Sequence, residues 1–118
     1  TQYGEFSEYH TSADNLDFVQ PEYLADSFEK YVSILYVLEN ECKYINCNPK
    51  GEPQLGKRGL YDSSDRIYFD SIFWVLNLSD GKHSLLDISE KAKIDFVSIK
   101  KAKDKLCEKG LMREIKKD

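Results

Sequence analysis

Three consecutive apolar stretches of helical period, each opened by a capping residue, constrain this chain more than any other feature. Ile67, Phe69, Ile72, Phe73, Val75, Leu76 and Leu78 recur at helical spacing behind Ser64 or Asp65, either of which suits an N-cap. Asp80-Gly81 reads as the turn that ends this helix. Ser84 then opens a shorter stretch with Leu85, Leu86, Ile88 and Ala92, and Asp87 falls where the acidic partner of a capping box would lie. Asp95 opens the third, with Val97, Ile99, Ala102, Leu106 and Cys107 inward, and Gly110 closes it in the manner of a C′ glycine. Leu111, Met112 and Ile115 suggest a strand. Three helices with a short turn between the second and third, followed by a strand, describe a winged helix-turn-helix.

The upstream half reads differently. Residues 1–20 carry Gly4, Ser7, Thr11, Ser12, Asp14 and Asn15, which supply turn chemistry. Pro21 suits a first helical position, and Glu22 favours the positive end of the helix dipole. Leu24, Phe28, Tyr31, Val32, Leu35 and Leu38 then repeat at intervals that make one apolar face, widened by Ile34, Tyr36 and Val37. The expectation is a helix over about 21–40, covered on more than one side. Little else before residue 65 could cover it, so it is expected to pack on chain outside these residues. Lys43 to Cys47 could be a short strand. Asn48 to Gly59 holds three glycines and two prolines and reads as a connector.

The string Tyr9-His10-Thr11-Ser12-Ala13-Asp14-Asn15-Leu16 resembles the final metal-ligand segment of the di-zinc aminopeptidase family. There a histidine in a short His-Thr/Ser-x-x-Asp stretch closes the metal site just before a terminal helix. Gly51 to Tyr61 and Phe73 to Gly81 are similar to a bacterial branch of aminopeptidase-like proteins that carry a C-terminal winged helix. The resemblance implies an α+β, mostly helical chain: the terminal loop and long helix of an α/β zinc-exopeptidase domain over 1–48, a connector over 49–63, and a winged helix-turn-helix over 64–118. It implies zinc in the intact protein, with His10 as a ligand and Asp14 holding the loop or orienting the imidazole. The first residue is Thr1 and the single methionine is Met112. A catalytic N-terminal portion is therefore expected to precede these residues and to supply the remaining ligands and the general base. A catalytic zinc needs about three protein ligands, so the chain alone is expected to be inactive. The substrate implied for the intact protein is a peptide or small amide.

Lys57 and Arg58, set between Gly56 and Gly59, are candidates for contacting a substrate carboxylate or for clamping two domains, because guanidinium suits bidentate carboxylate binding. Lys100, Lys101, Lys103, Lys105 and Lys109 would lie on the recognition helix of a DNA-binding module. That helix offers no Arg, Asn or Gln over 96–109 for base reading, and Asp104 and Glu108 dilute its charge. A net charge of -4 argues the same way. The balance is thus against nucleic acid, and the alternative to an enzyme fragment is a winged-helix binding or interaction module without catalysis, self-association included. Three cysteines without regular spacing argue against a disulfide framework and fit a cytoplasmic setting. No apolar run approaches the roughly 20 residues of a membrane span.

Overall fold

A computed structural model describes residues 4–61 and 65–115. The chain divides into two compact units, Thr1–Tyr36 and Val37–Asp118. In the first, a turn-rich loop is ordered by side chains that bond locally to the backbone. The Thr11 hydroxyl donates to Glu8 O (2.7 Å) and accepts from Ala13 N (3.2 Å), while Asn15 Oδ1 accepts from Asp17 N at 2.8 Å. Phe6 and Phe18 stack with centroids 5.8 Å apart. Helix α1, Pro21–Asn40, follows and carries no buried residue.

The second unit is built on a three-stranded antiparallel sheet of order β2-β1-β3, with β1 at Lys43–Asn46, β2 at Asp80–Ser84 and β3 at Met112–Glu114. Ile45 is the hinge of the register, opposite Asp80 on one side and Arg113 on the other. Helices α2 (Arg66–Leu78), α3 (Leu85–Ala92) and α4 (Phe96–Glu108) pack over this sheet. Each starts where its cap dictates. Asp65 accepts from Ile67 N, and Asp95 from Ser98 N. Ser84 and Asp87 complete a reciprocal capping box, to which Glu41 adds a carboxylate oxygen 3.0 Å from Leu86 N. Ser64, the other candidate cap for α2, lies outside the described residues. Between α3 and α4 the turn is held by the Ser89 hydroxyl, which donates to Ile94 O at 2.6 Å. Gly110, at φ 67°, lets the backbone leave α4 and enter β3.

The core gathers Ile72 and Val75 from α2, Leu85 and Ile88 from α3, and Ile99, Ala102 and Leu106 from α4, against Tyr44 and Met112 of the sheet. Two features depart from the sequence reading. The upstream segment read over 1–48 includes Lys43–Asn46, yet this is the central strand of the sheet, because both edge strands come from downstream residues. The stretch expected to be a connector contributes Leu55 and Leu60, fully buried, through a short 3-10 helix over Leu55–Arg58. Glycine and proline bend the chain there so that two leucines reach the core. The turn expected at Asp80-Gly81 is the start of β2. Gly81 has φ 83°, a left-handed conformation that glycine adopts without strain.

Candidate functional site

His10 sits in the loop ahead of α1, exposed, in a left-handed conformation at φ 58°. Its ring meets Tyr9 edge-on, centroids 4.1 Å apart, and no described residue hydrogen-bonds either ring nitrogen. The acceptor nitrogen of a neutral imidazole is thus not engaged by a described residue. Asp14 is exposed, and its backbone N donates to Thr11 O at 3.2 Å. The side chains of Thr11 and Asn15 bond to the backbone of this loop. Among the described residues no three His, Cys, Asp or Glu side chains gather to hold a metal ion. His10 therefore belongs to no three-ligand cluster among the described residues, and a catalytic zinc requires about three protein ligands.

Arg58 bonds to two backbone carbonyls. Its Nε donates to Pro53 O at 2.9 Å and its Nη1 to Lys109 O at 3.4 Å. Both acceptors lie within Val37–Asp118, so the guanidinium fastens the bent loop to the C-terminal end of α4, where a cation also suits the helix dipole. Lys57 is exposed beside it.

The lysines of α4 are largely paired within the helix. Lys100 meets Asp104 at 2.8 Å, Lys103 pairs with the same carboxylate, and Lys105 meets Glu108 at 2.9 Å. Lys103 is only 12% exposed and its ammonium lies 5.1 Å from the centroid of the Tyr44 ring. Burial pulls its pKa down, but Asp104 and Tyr44 outweigh this and hold it above the ordinary lysine value. Burial likewise pushes the Asp104 carboxyl up, yet Lys100 and Lys103 prevail and hold it below the usual range. A phosphate would compete with carboxylates already in place.

A side-chain cluster that no local sequence signal marks lies at the start of β2. His83 Nδ1 lies 3.1 Å from Asp80 Oδ1, and its Nε2 lies 2.7 Å from Lys91 Nζ. Backbone N–H groups of His83 and Lys82 hold the Asp80 carboxyl far below its ordinary value. His83 is thereby fixed between β2 and α3. The three cysteines are free thiols, and burial pushes the Cys107 thiol up. Among the described residues no helix is long and apolar enough to cross a membrane.

Comparison with known proteins agrees with this geometry. A winged helix-turn-helix family model matches residues 42–114. The chain belongs to the winged helix-turn-helix family. The match begins just before β1, in keeping with that strand's place at the centre of the winged-helix sheet. Residues 1–41 match a second model, described as a domain of unknown function. A protein of Clostridium acetobutylicum, whose name assigns it to polysaccharide biosynthesis with an aminopeptidase-like domain, is 49% identical over 115 residues, which is 93% of this chain and 26% of the relative. A crystal structure from the same organism, described as that of a peptidase, superposes with a TM-score of 0.84 at 48% identity, covering 96% of this chain and 25% of that one. The winged-helix chain thus spans about a quarter of the length of the relatives it matches.

Proposed function

We propose that these residues are the winged-helix-bearing portion of a zinc-dependent aminopeptidase-like hydrolase, in which His10 is one of the metal ligands. The observation that carries the reading is the state of His10. It stands in a loop ordered by Thr11 and Asn15, with both ring nitrogens unengaged by the described residues. Similarity to an aminopeptidase-like relative along 93% of the chain supports the class of protein. The remaining ligands and the acid or base of the reaction belong to chain beyond these residues, so no catalytic step is assigned to a side chain here. The substrate of the longer polypeptide is a peptide or a small amide, and three free thiols suit a reducing, cytoplasmic compartment.

In the same reading the winged helix is an accessory module that joins protein to protein. Its recognition helix presents Lys100, Lys103 and Lys105 already neutralised by Asp104 and Glu108, which disfavours the nucleic-acid alternative. Arg58 serves the loop and α4, and Asp14 joins the His10 loop through its backbone N, which donates to Thr11 O.

The test is zinc affinity of the longer polypeptide, measured by competition with a chromophoric chelator. Outer-shell changes at zinc sites already cost about 10–100-fold, so His10→Ala is expected to weaken binding by at least about 10-fold. Hydrolysis of an aminoacyl amide should fall with it. Unchanged zinc affinity would remove His10 from the metal site.

A further inference from the structure

Asp80, His83 and Lys91 stand in series within Val37–Asp118. The first two belong to β2, and Lys91 lies in the last turn of α3. The capping box of Ser84 and Asp87 starts α3 directly at the end of β2, and the helix then carries Lys91 back to the His83 ring. The backbone N–H groups of Lys82 and His83 donate to Asp80 Oδ1 at 2.8 and 3.1 Å, which turns the carboxylate toward the imidazole. The same bonds, that of His83 first, hold the Asp80 carboxyl far below its ordinary value, so it is ionised at neutral pH.

The donors fix the proton positions. An ammonium donates and cannot accept, so the 2.7 Å contact between Lys91 Nζ and His83 Nε2 needs a lone pair on that nitrogen. The ring proton then sits on Nδ1, 3.1 Å from Asp80 Oδ1. A nucleophile within hydrogen-bond reach of a base, with the base oriented by a third group, is the arrangement that activates nucleophiles. Within Val37–Asp118 Lys91 is exposed and the His83 side chain keeps 26% of its surface open, so a dissolved reagent can meet the pair.

We propose that Lys91 is an acylation site whose donor is an acyl thioester, with His83 as the base that serves it and Asp80 as the positioning residue of the ring. The chemistry selects this class of donor. Attack of a neutral amine on an acyl carbon first gives an intermediate with a cationic nitrogen. A thiolate and an alkylamine are comparable leaving groups, so the intermediate reverts unless a base takes the proton from nitrogen. In the step, Lys91 Nζ forms the C–N bond and its proton passes to His83 Nε2. The C–S bond breaks, and the thiolate leaves with the electron pair and takes up the proton that His83 holds. The products are acylated Lys91 and a free thiol, with the imidazole neutral again. Acylation removes the positive charge of Lys91 beside β2. The site depends on neither zinc nor His10.

The charged groups facing His83 are Asp80 of β2 and Lys91 and Asp87 of α3, with Lys43 of β1 next beyond Asp87. An imidazole that has gained a proton, as imidazoles do between about pH 8 and about pH 5.5, has no lone pair left to serve an amine. The test is mass spectrometry of the longer polypeptide incubated with S-acetyl-N-acetylcysteamine, a small acetyl thioester, to give the rate at each lysine. General-base assistance ordinarily contributes about 10²–10⁴-fold, and a site open to water belongs at the low end. At about pH 8, Lys91 should react at least about tenfold faster in the unaltered protein than in His83→Gln, while Lys101, also exposed, reacts equally in both. The ratio for Lys91 should shrink toward one at about pH 5.5. Absent acetylation of Lys91, or a ratio near one at about pH 8, overturns the proposal. So does a ratio that is the same at both pH values, which would mark an effect of packing and not of the base. Nitrogen-15 shifts of the His83 ring need no variant. They should place the proton on Nδ1 at about pH 8, and a proton on Nε2 overturns the proposal.

Discussion

Replacing Leu55 by alanine measures whether the Gly/Pro-rich loop belongs to the winged-helix core. Leu55 is 0% exposed and lies in the same cluster as Leu60, Val75 and Leu106. The substitution removes about three methylene equivalents, worth roughly 2.4 kcal/mol in transfer from water. The cavity left behind adds to this, so a total near 3 kcal/mol is expected, within the roughly 2–5 kcal/mol range for such changes. Urea unfolding followed by Trp74 is the assay, since the single tryptophan lies in α2 and reports on this unit. With a slope of about 1–2 kcal/mol per molar urea, the midpoint should fall by roughly 2 M while the slope holds. Leu16→Ala is the control. That side chain is 88% exposed, and its loss should change stability by no more than about 0.5 kcal/mol. A midpoint shift below about 0.5 M for Leu55→Ala would show that the loop is the free connector its composition suggested.

Other outcomes follow from the same geometry. Ser84→Ala should cost about 1 kcal/mol by opening the capping box with Asp87, read in the same urea assay. Asp80, Asp87 and Asp95 all have carboxyl pKa values depressed by hydrogen bonds, to backbone N–H of His83, to backbone N–H of Ser84 and to the Ser98 hydroxyl respectively. Their stabilisation is present above the unfolded value of about 3.9 and is lost as pH falls through the lower folded values. The urea midpoint should therefore drop below about pH 4, and the drop should be shallower in Asp87→Asn. Asp104→Asn with Glu108→Gln releases the paired lysines of α4. Weak, salt-sensitive binding to random duplex DNA should then appear where the unaltered chain shows none, as judged by mobility shift.

Most helices of this fold can be read directly because their signals are local. Pro21 marks the start of α1, Asp65, Ser84 and Asp95 mark the starts of the other three, and apolar periodicity carries each to its end. The sheet is harder, because strand pairing is not a local property. Lys43–Asn46 reads as a strand, but nothing within four residues says that its partners lie at Asp80–Ser84 and Met112–Glu114. Strand β2 is polar throughout and shows no alternation, so its Asp-Gly opening reads as a turn. The burial of Leu55 and Leu60 is hidden by glycines and prolines that signal loop without saying where the loop goes. At the candidate site the motif singles out His10, while Thr11 and Asn15, which bond to the backbone of its loop, carry ordinary turn signals. Arg58 carries no local signal for where its guanidinium goes. Its partners are backbone carbonyls, and one of them is 51 residues away.

The most direct measurement is an anomalous difference map at the zinc edge, from crystals of the longer polypeptide grown with zinc. The account expects a peak about 2.0–2.1 Å from a ring nitrogen of His10, with other ligands from chain outside these residues. A zinc peak elsewhere, with the His10 imidazole left in solvent, would contradict it.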